Sequence, residues 1–147
     1  MRIREATDAD SAAVAAVHEA SARTAYRDIF GDHPFRAPDW AEILGSARVI
    51  VAEEDEEIVG FAVLRPAELD GPLRRASHWG RGVGSLLLAD ATERLSDYDE
   101  LTLWVLAKND RARRFYERHG WAPDGAEKDS HYGELELRYR KSAGGSA

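Results

Sequence analysis

Apolar and polar positions change period several times along the chain, and each change marks an element. Residues 2–5 (Arg-Ile-Arg-Glu) predict a short first strand. Val14, Val17 and His18 then keep the spacing of one helix face, which predicts a helix over about 8–21. Thr7 stands ahead of it with Asp10 three residues on, the pattern of an N-cap followed by an acid in the first turn. Gly31, Pro34 and Pro38 break any long helix through 22–46, leaving room for a short one near Asp39–Leu44. Two β-branched runs, Arg48–Glu53 and Ile58–Leu64, flank the acidic stretch Glu54–Glu57 and predict an antiparallel hairpin with a charged loop.

The second half alternates strand and helix signals. Glu68–Asp70 starts another strand, which Pro72 disturbs. A glycine-rich turn over 79–84 opens a helix to about Leu95. Leu101–Leu106 reads as a buried strand, and a helix over Asp110–His119 stops at Gly120, a good residue for the position after a C-cap. Trp121–Ala126 and Glu134–Tyr139 are the closing strands, and 142–147 form a frayed tail. The expectation is a single mixed α/β domain over 1–141 without internal repeats.

Composition removes several functions. The 147 residues contain no cysteine, which excludes a disulfide, a thiolate metal site and a cysteine nucleophile. No apolar run approaches the roughly 18 residues of a spanning helix, and the first residues lack the apolar core of a signal peptide. A cytoplasmic protein without a membrane partner is expected. The net charge of −7 argues against a duplex nucleic-acid binder, which normally carries a basic face.

The turn over Trp79–Gly84 carries the clearest chemistry. Gly80, Gly82 and Gly84 let the backbone approach a ligand, and the helix behind them offers free N–H groups and its positive dipole end. That combination suits a phosphate or pyrophosphate, although a tight turn without any ligand has the same sequence. It is not a P-loop, since no Gly-Lys-Ser/Thr follows, and the third glycine of a dinucleotide fingerprint would fall at Ser85. His18-Glu19-Ala20-Ser21-Ala22 lacks the second histidine of a zincin motif, and there is no Gly-x-Ser-x-Gly elbow. No metal is expected.

Taken in order, the glycine turn with Ser85-Leu86-Leu87-Leu88, the strand through Asn109, Ala112, Phe115-Tyr116 and Gly120-Trp121 resemble the GNAT superfamily of acyl-CoA-dependent N-acyltransferases. The resemblance covers nearly the whole chain; the family's turn pattern, Arg/Gln-x-x-Gly-x-Gly/Ala, is met except that Trp79 takes the first position. It implies a largely antiparallel twisted sheet flanked by helices, with splayed fourth and fifth strands that admit pantetheine. The implied reaction is acetyl transfer from acetyl-CoA to a primary amine, on a small molecule or a peptide, by direct attack. Backbone amides of Arg81, Gly82, Val83, Gly84, Ser85 and Leu86 would hold the pyrophosphate, Asn109 the pantetheine, with Leu73 and Arg74 beside it on the fourth strand. Tyr116 would protonate the leaving thiolate, and Glu68 would serve as general base. Dimers are common in the family, which makes a homodimer compatible with the chain.

One segment departs from that pattern. Where Leu-Tyr-Val-x-Pro is usual, this chain has Pro72-Leu73-Arg74-Arg75-Ala76. A proline inside a central strand removes a ladder donor, and an unpaired arginine at an apolar position is costly. The bases CTC TAC GTC GCG CC, read after one inserted C, would encode Pro-Leu-Arg-Arg-Ala, so a compensated double frameshift is one origin of the segment and simple divergence is the other. Position 72 is also where the resemblance places an N–H facing the acetyl oxygen, and proline has none. A weakened transferase, or a CoA-binding module without turnover, is the alternative expectation.

Overall fold

The doubly apolar runs around residues 49–52 and 58–64 become the centre of a sheet covered on both faces. In the computed structural model, which describes residues 1–30, 39–74, 82–129 and 134–142, β1 (Arg2–Glu5) leads through a 3-10 turn (Asp8–Asp10) to α1 (Ser11–Phe30) and α2 (Trp40–Ser46). Then come β2 (Arg48–Glu54), β3 (Glu57–Arg65), β4 (Glu68–Arg74), α3 (Val83–Arg94) and β5 (Glu100–Leu106). The helix α4 (Asp110–Arg118) and strands β6 (Ala122–Asp129) and β7 (Leu135–Ser142) complete the order. The strands form one seven-stranded sheet in the order β1-β2-β3-β4-β5-β7-β6.

Period-two alternation sends neighbouring side chains of the central strands to opposite layers. Ile50, Ala52, Val59, Ala62 and Leu64 pack with Val83, Leu87, Leu88 and Ala91 of α3 and with Phe115 and Tyr116 of α4. Val49, Val51, Phe61 and Val63 face Val14 and Val17 of α1 and Trp40 of α2. Each fully buried aliphatic side chain contributes roughly 1.5–3 kcal/mol, so both helical layers are held to the sheet mainly by burial.

Neighbouring strands are antiparallel except β4 and β5, which run parallel and share a single bridge, Glu68 opposite Thr102. Beside it the Thr102 N–H donates to the Ala67 carbonyl at 3.0 Å. Toward their carboxyl ends the two strands have no further paired residues, so the sheet parts there. The mixed, largely antiparallel fold with splayed fourth and fifth strands is the one expected.

Several local expectations need correction. The first helix runs on to Phe30 instead of stopping near residue 21. The acidic hairpin loop is a two-residue turn, Asp55-Glu56, with φ of 51° and 67°. Within the strand at Leu101–Leu106, Thr102 and Trp104 point away from Leu101, Leu103 and Val105 and are only half-buried. There the Trp104 ring is covered by Lys128 Nζ at 4.3 Å and the Arg138 guanidinium at 5.9 Å. The closing strands lie later than expected, and β7 takes in Ser142, which the sequence assigned to the tail.

Most consequential, β4 passes straight through Pro72. Val63 stands opposite Asp70 and Phe61 opposite Leu73, so β4 carries one extra residue across from Ala62. That bulge falls at Gly71-Pro72, where no ladder donor is required, and on its other side β5 has already diverged. The expected burial of the Arg74 side chain falls outside what is described.

Candidate active site

Parallel strands deliver their carboxyl ends to the same end of a sheet, and ligands of α/β proteins gather where such strands diverge. Here β4 and β5 diverge, and the chain leaves each of them toward a helix, α3 and α4.

The start of α3 depends on Gly82, its N-cap, with φ 85° and ψ 0°. Nothing lies within 4 Å of a Cβ built there, so the left-handed backbone, not crowding, is what demands glycine. The Leu86 N–H donates to the Gly82 carbonyl at 3.0 Å and closes the first helical turn. Helix geometry leaves the amides of Val83, Gly84 and Ser85 without an acceptor in their own helix. The Leu86 side chain is among the exposed large apolar groups, at 48%. Arg81 lies outside the described residues.

Asn109 begins α4 in the same manner. Its Oδ1 accepts from the Ala112 N–H at 3.1 Å, and the Arg113 N–H donates to its carbonyl at 3.0 Å. The side-chain oxygen is thereby committed to the cap, and Nδ2 is the group with donors to offer a ligand. Leu73 and Arg74 end β4 opposite Phe61 and Gly60. Glu68 is half-buried at the closed end of the parting, next to the bridge with Thr102.

Tyr116 sits near the end of α4, buried, with its ring centroid 6.2 Å from Trp121 and 6.4 Å from Tyr139. Tyr139 is fully buried; its hydroxyl donates to Glu117 Oε2 at 2.6 Å and accepts from Arg113 Nε at 3.0 Å. Burial, reinforced by Glu117, pushes its phenol above the usual value, while Arg113 pulls the other way. Arg113 also donates to the Ala107 carbonyl, so this trio ties α4 to β7 and to the turn before it.

Two groupings have no separate sequence signal. Ser85 Oγ, in the first turn of α3, lies 3.0 Å from His119 Nε2 at the C-cap of α4. The other ring nitrogen of His119 lies 2.7 Å from the Phe115 carbonyl. On the opposite layer His18 packs edge-on against Trp40, centroids 5.3 Å apart, and burial lowers its pKa. Among the described residues no three His, Asp or Glu side chains gather as a metal site. No helix among them is long and apolar enough to cross a membrane.

A sheet parted between two parallel strands, with glycine-led and asparagine-capped helices following them, defines a mixed α/β fold open between its fourth and fifth strands. The sequence profile of the Acetyltransferase (GNAT) family matches residues 15–121, and the chain belongs to that family. Solved structures share the fold at low sequence identity. A ribosomal-protein-alanine N-acetyltransferase from Brucella melitensis is 20% identical, with 97% of this chain and 99% of that one covered at a TM-score of 0.75. A putative acetyltransferase from Salmonella typhimurium, solved with its cofactor acetyl-CoA, is 19% identical over 100% and 96% at 0.75. The PaiA N-acetyltransferase of Thermoplasma acidophilum, in complex with coenzyme A, is 16% identical over 93% and 96% at 0.71. Among curated proteins no match was found.

Proposed function

We propose that this protein transfers an acetyl group from acetyl-CoA to a primary amine by direct attack. One observation carries the reading: in a chain of the GNAT family, β4 and β5 share a single bridge and then separate, and the helix that follows β4 starts at the left-handed Gly82. The left-handed Gly82 and the three amides behind it suit a pyrophosphate, which needs close backbone approach and several donors. Two fold neighbours solved with acetyl-CoA or coenzyme A support the choice of co-substrate. The neighbour named for ribosomal-protein alanine supports an amine acceptor.

Acetyl-CoA supplies an acyl group already activated as a thioester. Val83, Gly84 and Ser85 hold its pyrophosphate through their N–H groups, and Asn109 Nδ2 donates to the pantetheine. The Glu68 carboxylate takes a proton from the acceptor ammonium, which makes the amine nucleophilic. The amine nitrogen bonds to the acetyl carbon and the C–S bond breaks; Tyr116 Oη donates a proton to the departing sulfur, and the second proton lost by the acylated nitrogen replaces it. Calorimetric titration of acetyl-CoA, followed by turnover with a panel of amines, tests the whole reading. Tyr116→Phe is expected to lower kcat by about 10²-fold or more with acetyl-CoA affinity retained. Absence of acetyl-CoA binding would refute the proposal.

Pro72 favours a second reading, a CoA-binding module with little turnover. It stands in the β4 bulge and carries no N–H for the acetyl oxygen. Loss of one such donor costs about 10²–10³-fold in rate in other acyl transferases. Restoring Leu-Tyr-Val-Ala-Pro at 72–76 is expected to recover a factor of that order. Turnover by the unaltered chain at ordinary enzyme rates, about 1–10³ s⁻¹, would remove the second reading.

A further inference from the structure

We infer that His119 is a proton-linked positioning residue for the pyrophosphate turn, acting through the Ser85 hydroxyl; this rests on the acetyl-CoA reading above. The two residues are 34 apart in sequence and meet where the end of α4 reaches the first turn of α3.

Hydrogen-bond polarity sets the states available. The Phe115 carbonyl can only accept, so the 2.7 Å contact places a proton on His119 Nδ1. In the neutral ring Nε2 is then an acceptor, and Ser85 must donate its hydroxyl proton across the 3.0 Å contact. Ser85 Oγ in that state presents only lone pairs, and a phosphate oxygen beside the first turn meets no hydroxyl donor. When Nε2 takes a proton from solvent, it donates to Ser85 Oγ instead. The serine proton then turns outward and can donate to the anion. One proton enters, none is lost, and a positive charge stands one hydrogen bond behind the amides of the turn.

The surroundings keep this balance adjustable. From α3 the ring meets Ser85; from its own helix it meets Phe115, with ring centroids 4.5 Å apart, and Glu117 and Arg118 flank it in sequence. From β7, Lys141 Nζ donates to the His119 carbonyl at 2.8 Å. Glu117 is occupied by the Tyr139 hydroxyl at 2.6 Å. The Lys141 charge opposes a second cation at the ring, while the carboxyl end of α4 favours one. A dianionic pyrophosphate arriving at the α3 terminus tips that contest toward the imidazolium. By linkage, a ligand that favours the protonated ring binds more weakly once that proton is lost.

The test uses 3′-dephospho-CoA, which lacks the monoester phosphate whose own second ionisation falls near pH 6. Titration calorimetry in two buffers of different ionisation enthalpy reads proton uptake directly. Net proton uptake on binding, with affinity falling as pH rises, is expected. His119→Gln keeps a donor to Ser85 that does not titrate, and Ser85→Ala cuts the relay while keeping the imidazole. His119→Gln is expected to bind with pH-independent affinity and no uptake, and Ser85→Ala to bind more weakly with its uptake reduced to what the imidazolium charge alone draws. Binding by the unaltered protein without uptake, uptake that persists in His119→Gln, or uptake undiminished in Ser85→Ala overturns the inference. Failure of the unaltered protein to bind overturns the acetyl-CoA reading, and the inference falls with it.

Discussion

The Asn109 side chain carries an acceptor that caps α4 and a donor proposed for pantetheine, and substitution separates the two. Its Oδ1 accepts from the Ala112 N–H at 3.1 Å and caps α4, whose nine residues are too few to stand without their end groups satisfied. Asn109→Ala removes that acceptor, and loss of such a cap typically costs about 1 kcal/mol. For a chain of this length the melting temperature should fall by about 2–4 °C. Asn109→Asp keeps an acceptor at the same place and adds a negative charge at the positive end of the helix, so stability should equal or exceed that of the parent. Aspartate offers no N–H, however. If Nδ2 donates to pantetheine, acetyl-CoA affinity should drop by about 3- to 10-fold, the worth of one hydrogen bond. Thermal denaturation and calorimetric titration of both variants read the two effects independently. An unchanged melting temperature for Asn109→Ala would refute the cap, and parental affinity in a stable Asn109→Asp would refute the ligand contact.

Other perturbations follow from the ion pairs and the strained turn. Asp10 accepts from both Arg4 Nη atoms, at 2.9 and 3.0 Å, and from the Thr7 N–H at 2.7 Å, which hold its carboxyl at about 2 against an ordinary 3.8. Because the folded value is the lower one, this contribution is complete above about pH 5 and is lost as pH falls toward 2. Asp10→Asn should therefore cost about 1–2 kcal/mol at pH 7, and urea titrations should show the gap closing over that window. His18 behaves in the opposite sense: burial keeps it neutral when folded, so the unfolded chain gains protons first and stability falls as pH drops below 6.5. His18→Phe, which preserves an aromatic ring beside Trp40 and Phe61, should flatten denaturation midpoints between pH 7 and 5. Glu56 sits at φ 67°, where a side chain is strained, and Glu56→Gly should raise the melting temperature by about 2–4 °C, worth about 1 kcal/mol.

Much of the molecule is legible residue by residue because the forces involved are local. The period of Val14, Val17 and His18, the β-branched runs on either side of Asp55-Glu56, and Gly120 after α4 each place an element from within a few residues of themselves. Gly82 announces its turn for the same reason, since only glycine takes φ 85° without strain. Other features depend on partners distant in the chain. The sequence around Pro72 reads as an interruption, yet β4 continues, because the register against β3 leaves one residue over and turns a missing donor into a bulge. Trp104 reads as core within an apolar strand, yet it lies on the face away from Leu103 and Val105, half-buried under Lys128 and Arg138. Periodicity therefore marks most of the strands and helices, and the ordered motifs from the glycine turn to Gly120-Trp121 carry the family resemblance. Where β4 and β5 part, and that Ser85 meets His119 across 34 residues, are set by strand pairing and helix packing, which short-range sterics do not encode.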